Sequence, residues 1–200
     1  ALVEADESVV VSLASGSGGY SIGAPSSATG IIDSMAPTLV GVQVQGNSIF
    51  LKFSEDVTAT SVPVSRFKVE SLDSSNKPTL RTVTNVNLIG PSDPSRVILT
   101  LSGTAPPSTV GMRISYVDPA GDDVTGVIQD ITGNDLASFT NINADTYISA
   151  NSATLATQYL NLTLTGGLNV SGTGNASSNI IIGNDGGNVI DGLTGNDTST

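Results

Sequence analysis

Over residues 39–53 apolar and polar positions alternate with period two. Val40, Val42 and Val44 share one face, and Ile49, Leu51 and Phe53 resume the alternation after Gly46 and Asn47. Alternation of this length marks half-buried strands, and a Gly-Asn pair between two such runs marks a tight hairpin turn. Further strand runs follow at 66–72 (RFKVESL), 79–89 (TLRTVTNVNLI), 96–102 (RVILTLS) and 109–117 (TVGMRISYV). Pro91, Pro94, Pro106 and Pro107 stand between them. Strands at this spacing, separated by Pro and Gly turns, predict a sandwich that closes near Tyr147 with SFTNINADTYI. The alternation assigns Val40, Val42, Ile49, Leu51, Phe53, Phe67, Val97, Leu99, Leu101, Ile114 and Tyr116 to its core.

Both flanks read differently. Residues 8–13, 16–23 and 27–33 predict three short strands, too few to bury a core of their own. Pro37 forces Ala36 into an extended conformation and places a linker at 33–39. After the sandwich, residues 155–165 (LATQYLNLTLT) alternate again and lead into a Gly/Asn-rich tail. That tail has a period of nine: Gly174, Gly183 and Gly192 form one column. Asn179, Asn188 and Asp197 form a second, and Ile181, Ile190 and Ser199 a third. The units are GNASSNIII, GNDGGNVID and GLTGNDTST. A fixed period marks a repeat architecture, in which each unit must stack on its neighbours to bury its apolar residue.

Composition narrows the chemistry. The 200 residues contain no Cys and no His. Cys nucleophiles, Cys/His zinc sites, disulfides and Ser–His pairs are therefore excluded. The net charge of −11 is uneven: residues 1–51 carry −4, residues 52–113 carry +2 and residues 114–200 carry −9. All seven bases lie between Lys52 and Arg113. An acidic third without a single base disfavours nucleic acid and anionic membranes. No apolar run is long enough to insert in a bilayer as a helix. The acids are fourteen Asp against four Glu. Asp suits tight turns and is also the usual loop ligand for Ca²⁺, so the excess fits either role.

The nine-residue units resemble the calcium-binding repeats of haemolysin-type (RTX) proteins, whose nonapeptide is a known parallel β-helix former. The resemblance implies a β-roll in which each unit makes a turn and a short strand. Turn carbonyls and Asp carboxylates of stacked turns would hold Ca²⁺ between them. It makes Asp197 the leading ligand, followed by Asp185, Asp191 and Asn188. Two departures stand out: Asn179 and Asn188 occupy a column that carries Asp in the family, and Leu193 replaces a Gly. Turn punctuation alone accounts for the same residues.

Two further resemblances frame the chain. Residues 3–33 (VEADESVVVSLASGSGGYSIGAPSSATGIID) are similar to the C-terminal half of a Calx-beta domain, with Glu4 and Glu7 as its first acidic pair and Asp33 opening its last cluster. A solvated acidic loop is the alternative reading of those acids. Residues 36–147 resemble an immunoglobulin-like repeat of large bacterial surface proteins, which carries no catalytic residue. Within it Asp118, Asp122, Asp123, Asp130 and Asp135 crowd into eighteen residues. The segments DPAGDD and DITGND read as Asx turns, with Ca²⁺ ligation as the alternative.

The expected fold is all-β: an immunoglobulin-like β-sandwich at 36–147, flanked by a partial Calx-beta-like segment at 1–35 and the start of a parallel β-roll at 174–200. Connecting strands fill 148–173. The expected role is non-catalytic. The chain would be an extender or adhesion segment of a secreted or surface-attached bacterial protein, exported by type I secretion and rigidified by Ca²⁺. Its partners would be calcium, neighbouring modules, and a host-cell or matrix surface. The alternatives are a non-catalytic part of an RTX enzyme or toxin, and a carbohydrate-binding sandwich. A phosphate loop is excluded because GSGG at 16–19 lacks the Lys and the strand–helix context. A glycosidase pair lacks the aromatic-lined cleft it needs, for there is no Trp.

Overall fold

Alternation becomes strand almost everywhere the sequence predicts it. The computed structural model describes residues 7–12, 27–32, 35–119 and 125–200. Among them there is no α-helix, only a single 3-10 turn at Val64–Arg66. Strands β1 (Glu7–Ser12) and β2 (Ser27–Ile32) pair antiparallel as a separate two-stranded sheet. The strand expected at 16–23 lies outside the described residues.

The sandwich begins with β3 (Leu39–Gln45) and β4 (Ser48–Phe53). Their register sets Gln45 opposite Ser48, which leaves a two-residue turn, and Gly46 supplies the required positive φ of 56°. There follow β5 (Val57–Thr58), β6 (Phe67–Leu72), β7 (Pro78–Arg81), β8 (Val83–Leu88), β9 (Arg96–Leu101) and β10 (Gly111–Tyr116). Next come β11 (Gln129–Asp130) and β12 (Phe139–Asn143). One sheet has the order β12-β10-β6-β7, and β3, β4, β9 and β8 lie side by side in the other. The single run expected at 79–89 is two strands: the chain leaves one sheet after Arg81 and enters the other at Val83.

The two sheets share one core. Val42, Ile49, Leu51, Phe53, Val97 and Leu99 come from one side, and Val69, Met112, Ile114 and Tyr116 from the other, each at most 1% exposed. Burial of each such large side chain is worth about 1.5–3 kcal/mol. Phe67 and Phe139 flank the Tyr116 ring at 5.1 and 5.8 Å. Val40 is the exception to the expected core, at 58% exposed. The register slips between Leu39 and Gly41, so Val40 is the extra residue of a β-bulge and points to solvent.

The chain then changes architecture without changing sheet. Strand β13 (Thr146–Ser149) lies parallel to β3, with Tyr147 opposite Val44. After it come β14 (Ala153–Thr154), β15 (Asn161–Leu164), β16 (Ser171–Thr173), β17 (Ile180–Ile182), β18 (Val189–Asp191) and β19 (Thr198–Ser199). Odd-numbered strands extend the sandwich sheet to eight strands, in the order β19-β17-β15-β13-β3-β4-β9-β8. Even-numbered strands form a second parallel sheet, β14-β16-β18. The result is a parallel β-solenoid. Its later coils are 18 residues long, since Ile180 pairs with Thr198 and Ser171 with Val189. Each coil therefore holds two nine-residue units. Residues 148–173, expected as connecting strands, supply β14, β15 and β16, and pair within the coils.

The sandwich closes one end of this stack. Ala156 N–H donates to Ser108 O at 2.8 Å and Thr154 N–H to Ser108 Oγ at 3.1 Å. The Tyr147 and Tyr159 hydroxyls donate to Pro106 O at 2.9 Å and Val110 O at 3.1 Å. The two rings meet edge to face at 5.5 Å. Leu155, Tyr159, Leu162, Leu164, Val170 and Ile181 are buried in the same cluster as the sandwich core. A solenoid needs its open apolar end covered, and here the preceding sandwich covers it.

Candidate metal-binding turns

The nine-residue columns occupy equivalent turns. In the apolar column Ile181 is 1% exposed, Ile190 is half-buried against the core and Ser199 is exposed. In the glycine column each residue presses on the side chain five positions later. A Cβ at Gly174 would strike Asn179, one at Gly183 would strike Asn188, and one at Gly192 would strike Asp197. Only glycine allows that approach.

The expected ligand column turns inward to hydrogen bonds. Asn179 Oδ1 accepts the Asn175 N–H at 2.7 Å, and Asn179 Nδ2 donates to Leu160 O at 3.2 Å. Nine residues later, Asn188 Oδ1 accepts the Asn184 N–H at 2.8 Å, and Asn188 Nδ2 donates to Val170 O at 3.1 Å. Asp197 Oδ1 accepts the Asn179 N–H of the preceding coil at 2.8 Å. Asp191 Oδ1 accepts the Leu193 N–H at 2.9 Å, an Asx turn that carries Leu193 at a φ of +64°. The side chain of Asp185 is exposed.

Asn175 and Asn184 are not among the ligand candidates read from the sequence, yet they are central to the turns. The Asn175 amide donates to Ala156 O and Tyr159 O at 2.7 and 2.8 Å. The Asn184 amide donates to Thr165 O and Leu168 O at 3.1 and 3.0 Å. The readable signal was a second Asn column, at the second position of each of the first two units, broken by Leu193 in the third.

Ca²⁺ needs six to eight oxygens at each site. In the turns of Asn179 and Asn188 the coil carbonyls already receive amide N–H donors, so a cation there would face NH₂ groups. These two turns do not fit the ion. The third turn differs, for Leu193 brings no amide and Asp197 brings a carboxylate. Among the described residues no three acidic side chains gather in one place.

The remaining candidates are dispersed. Glu4, Asp33, Asp122 and Asp123 lie outside the described residues, and Glu7 opens β1. Asp130 is 1% exposed and organises its own turn. Its Oδ1 accepts the N–H groups of Thr132, Gly133 and Asn134 at 2.7, 2.6 and 2.9 Å, and its Oδ2 accepts Asn134 Nδ2 at 2.6 Å. Burial pushes this carboxyl up, but the hydrogen bonds from Asn134 and Thr132 outweigh it and the net direction is down. Asp135 lies in the same loop and bridges Gln129 through its backbone. Asp118 accepts a long 3.4 Å contact from the Tyr116 hydroxyl, and its N–H donates to Ser138 Oγ at 2.8 Å.

Lys52, Lys68, Arg96 and Arg113 pair with acids on the sandwich. Glu70 holds Arg113 at 2.7 Å and Lys68 at 2.8 Å, and the Arg113 hydrogen bond leads in lowering its pKa. Asp93 holds Lys52 and Arg96, each at 3.1 Å. A groove of about 230 Å³ lined by Pro37, Leu39, Leu136, Phe139 and Ile142 offers mainly apolar contact. The arrangement defines an all-β protein in which a β-sandwich runs directly into a parallel β-solenoid. Compared with family models, curated proteins and solved structures, the chain matches none.

Proposed function

We propose that this chain is a non-catalytic extender and adhesion segment of a secreted or surface-attached bacterial protein of the RTX type. In this reading the sandwich is an immunoglobulin-like surface repeat, residues 1–35 are part of a Calx-beta-like module, and the coils open a β-roll. The observation that carries it is the eight-stranded sheet that passes unbroken from sandwich to coils. A shared sheet makes a stiff joint, because bending there would break main-chain hydrogen bonds between β3 and β13. The nine-residue period, two units to a coil, supports the RTX assignment, and the base-free acidic last third suits an extracellular, cation-rich setting. Calcium-dependent rigidification belongs in this reading to units whose ligand column carries Asp, as at Asp197.

Beads coated with the chain should be retained on host-cell or matrix-coated surfaces. The free chain should turn over no ester, peptide or glycoside substrate. Turnover that disappears when one Asp is changed would overturn the non-catalytic reading. Beads that detach as fast as uncoated ones would remove adhesion from it.

A further inference from the structure

We infer that paired asparagine amides hold these coils together where carboxylate repeats use a bridging cation, so that the stack through Asn188 closes without divalent metal. Each pair is reciprocal. The Asn175 N–H donates to Asn179 Oδ1 at 2.7 Å, and Asn179 Nδ2 returns a bond to Asn175 Oδ1 at 3.2 Å. The Asn184 N–H donates to Asn188 Oδ1 at 2.8 Å, and Asn188 Nδ2 returns a bond to Asn184 Oδ1 at 2.8 Å. The second acceptor position of each leading Asn is also filled: Asn175 Oδ1 takes the Ser177 N–H at 2.9 Å, and Asn184 Oδ1 takes the Gly186 N–H at 3.0 Å.

Every further amide proton in these bonds points back one coil. Asn175 reaches Ala156 O and Tyr159 O, and Asn179 reaches Leu160 O. Asn184 reaches Thr165 O and Leu168 O, and Asn188 reaches Val170 O. Six side-chain N–H groups thus bind six main-chain carbonyls of the preceding turns. Asn175 and Asn179 do this at 6% and 1% exposure, where an unpaired polar group would be costly.

The chemistry of the column decides between two states. An amide carries both a donor and an acceptor, so it joins carbonyls directly and bears no charge. An ionised carboxylate carries acceptors only. Set against the same carbonyls it would repel them, and only a cation between them restores attraction. With Nδ2 turned to the coil carbonyls, as in Asn179 and Asn188, amide and metal are mutually exclusive at one turn. The first two turns have taken the amide, and the third, with Leu193 and Asp197, has not.

Thermal unfolding of the whole chain, followed by circular dichroism in excess chelator and in excess calcium, tests this. The amide turns are expected to contribute no difference between the two, so any calcium shift should trace to Asp197 alone. A site that bound only the folded form at a hundredfold excess over Kd would raise the melting temperature by roughly 5–11 °C. Asp197→Asn isolates the third turn. A calcium shift that persists in Asp197→Asn would overturn the inference, whereas one that vanishes in it would place the ion beyond the amide turns and support it. Asn175→Leu and Asn184→Leu, the residue found at the third turn, should lower the melting temperature equally in chelator and in calcium. Unchanged melting in both variants would refute the stitching role. Asn179→Asp with Asn188→Asp should melt lower in chelator and recover in calcium. If that double variant fails to fold, the side-chain amide protons of the four asparagines in the unaltered chain decide: slow exchange is expected, and exchange at the rate of exposed amides would overturn the inference. These bonds follow from coil geometry alone, so adhesion can fail while they stand.

Discussion

Tyr159 links coil to sandwich, and Tyr159→Ala should weaken both together. The ring is fully buried, meets Tyr147 edge to face at 5.5 Å, and its hydroxyl donates to Val110 O at 3.1 Å. Truncating a buried aromatic to Ala costs about 3–5 kcal/mol. Tyr159→Phe keeps the ring and loses only the hydrogen bond, about 0.5–1.5 kcal/mol. For a domain of this size each kcal/mol moves the melting temperature by about 2–4 °C, so Tyr159→Ala should lower it by about 6–20 °C. Circular dichroism gives the midpoint. Hydrogen exchange read by mass spectrometry separates the sandwich strands at 96–116 from the coil strands at 161–191. With one core and one shared sheet, both regions should lose protection by the same free energy. If the coils lost protection while the sandwich kept its own, the two would be independent units and the rigid joint would be wrong.

Asp130→Ala should cost about 1–3 kcal/mol, since the N–H groups of Thr132, Gly133 and Asn134 lose their acceptor. Because the folded-state pKa of Asp130 lies below its ordinary 3.8, its contribution is present above that pH and fades as pH falls; an acid titration of unfolding should show a shallower slope in the variant. At the alkaline end burial pushes the Tyr116 hydroxyl up to about 12, so its contribution is complete below about pH 10 and is lost between 10 and 12. Tyr116→Phe should flatten the stability profile in that window, and an unchanged profile would refute the assignment. Val40→Thr should leave the denaturant midpoint within about 0.5 kcal/mol of the original, while Val42→Thr buries an unpaired hydroxyl and should cost about 1–3 kcal/mol.

The sandwich was legible because period-two alternation maps directly onto faces. Of the eleven core positions read from it, Val40 alone faces solvent, because a bulge adds one residue and shifts the phase locally. A bulge leaves no mark in an alternating Val run. The division of residues 79–89 was illegible for a related reason: Thr82 carries the chain between two sheets, and a bulge between Val83 and Asn85 shifts the phase again, so the run reads as one irregular strand. The coils were legible by period from Gly174 onward and illegible before it. Tyr147, Leu155, Tyr159 and Leu162 fill the coil interior without the Gly/Asn signature. The first full coil steps are 15 and 19 residues long, from Thr146 to Asn161 and from Asn161 to Ile180, so no fixed period announces them. For the site, the sequence showed which residues occupy the column but not which way their side chains turn.

One physical problem links the sandwich to the column of asparagines. A sheet edge presents unpaired N–H and C=O groups, and β3 would expose such an edge if the sandwich stood alone. β13 covers it in parallel, yet a parallel strand leaves a new edge of the same kind. β15, β17 and β19 each move that edge outward by one coil. The strands pair readily, but the turns between them carry carbonyls that no strand can reach. Something must satisfy those carbonyls at every step, or the stack would bury unpaired acceptors. Asn175, Asn179, Asn184 and Asn188 meet that need with neutral donors that are present as soon as the chain folds. An Asp in the same column brings acceptors only and cannot donate to those carbonyls. Beside the sandwich the amide is therefore self-sufficient: it closes each step with groups the chain itself carries, and the stack can grow from the β3 edge without waiting for any other partner.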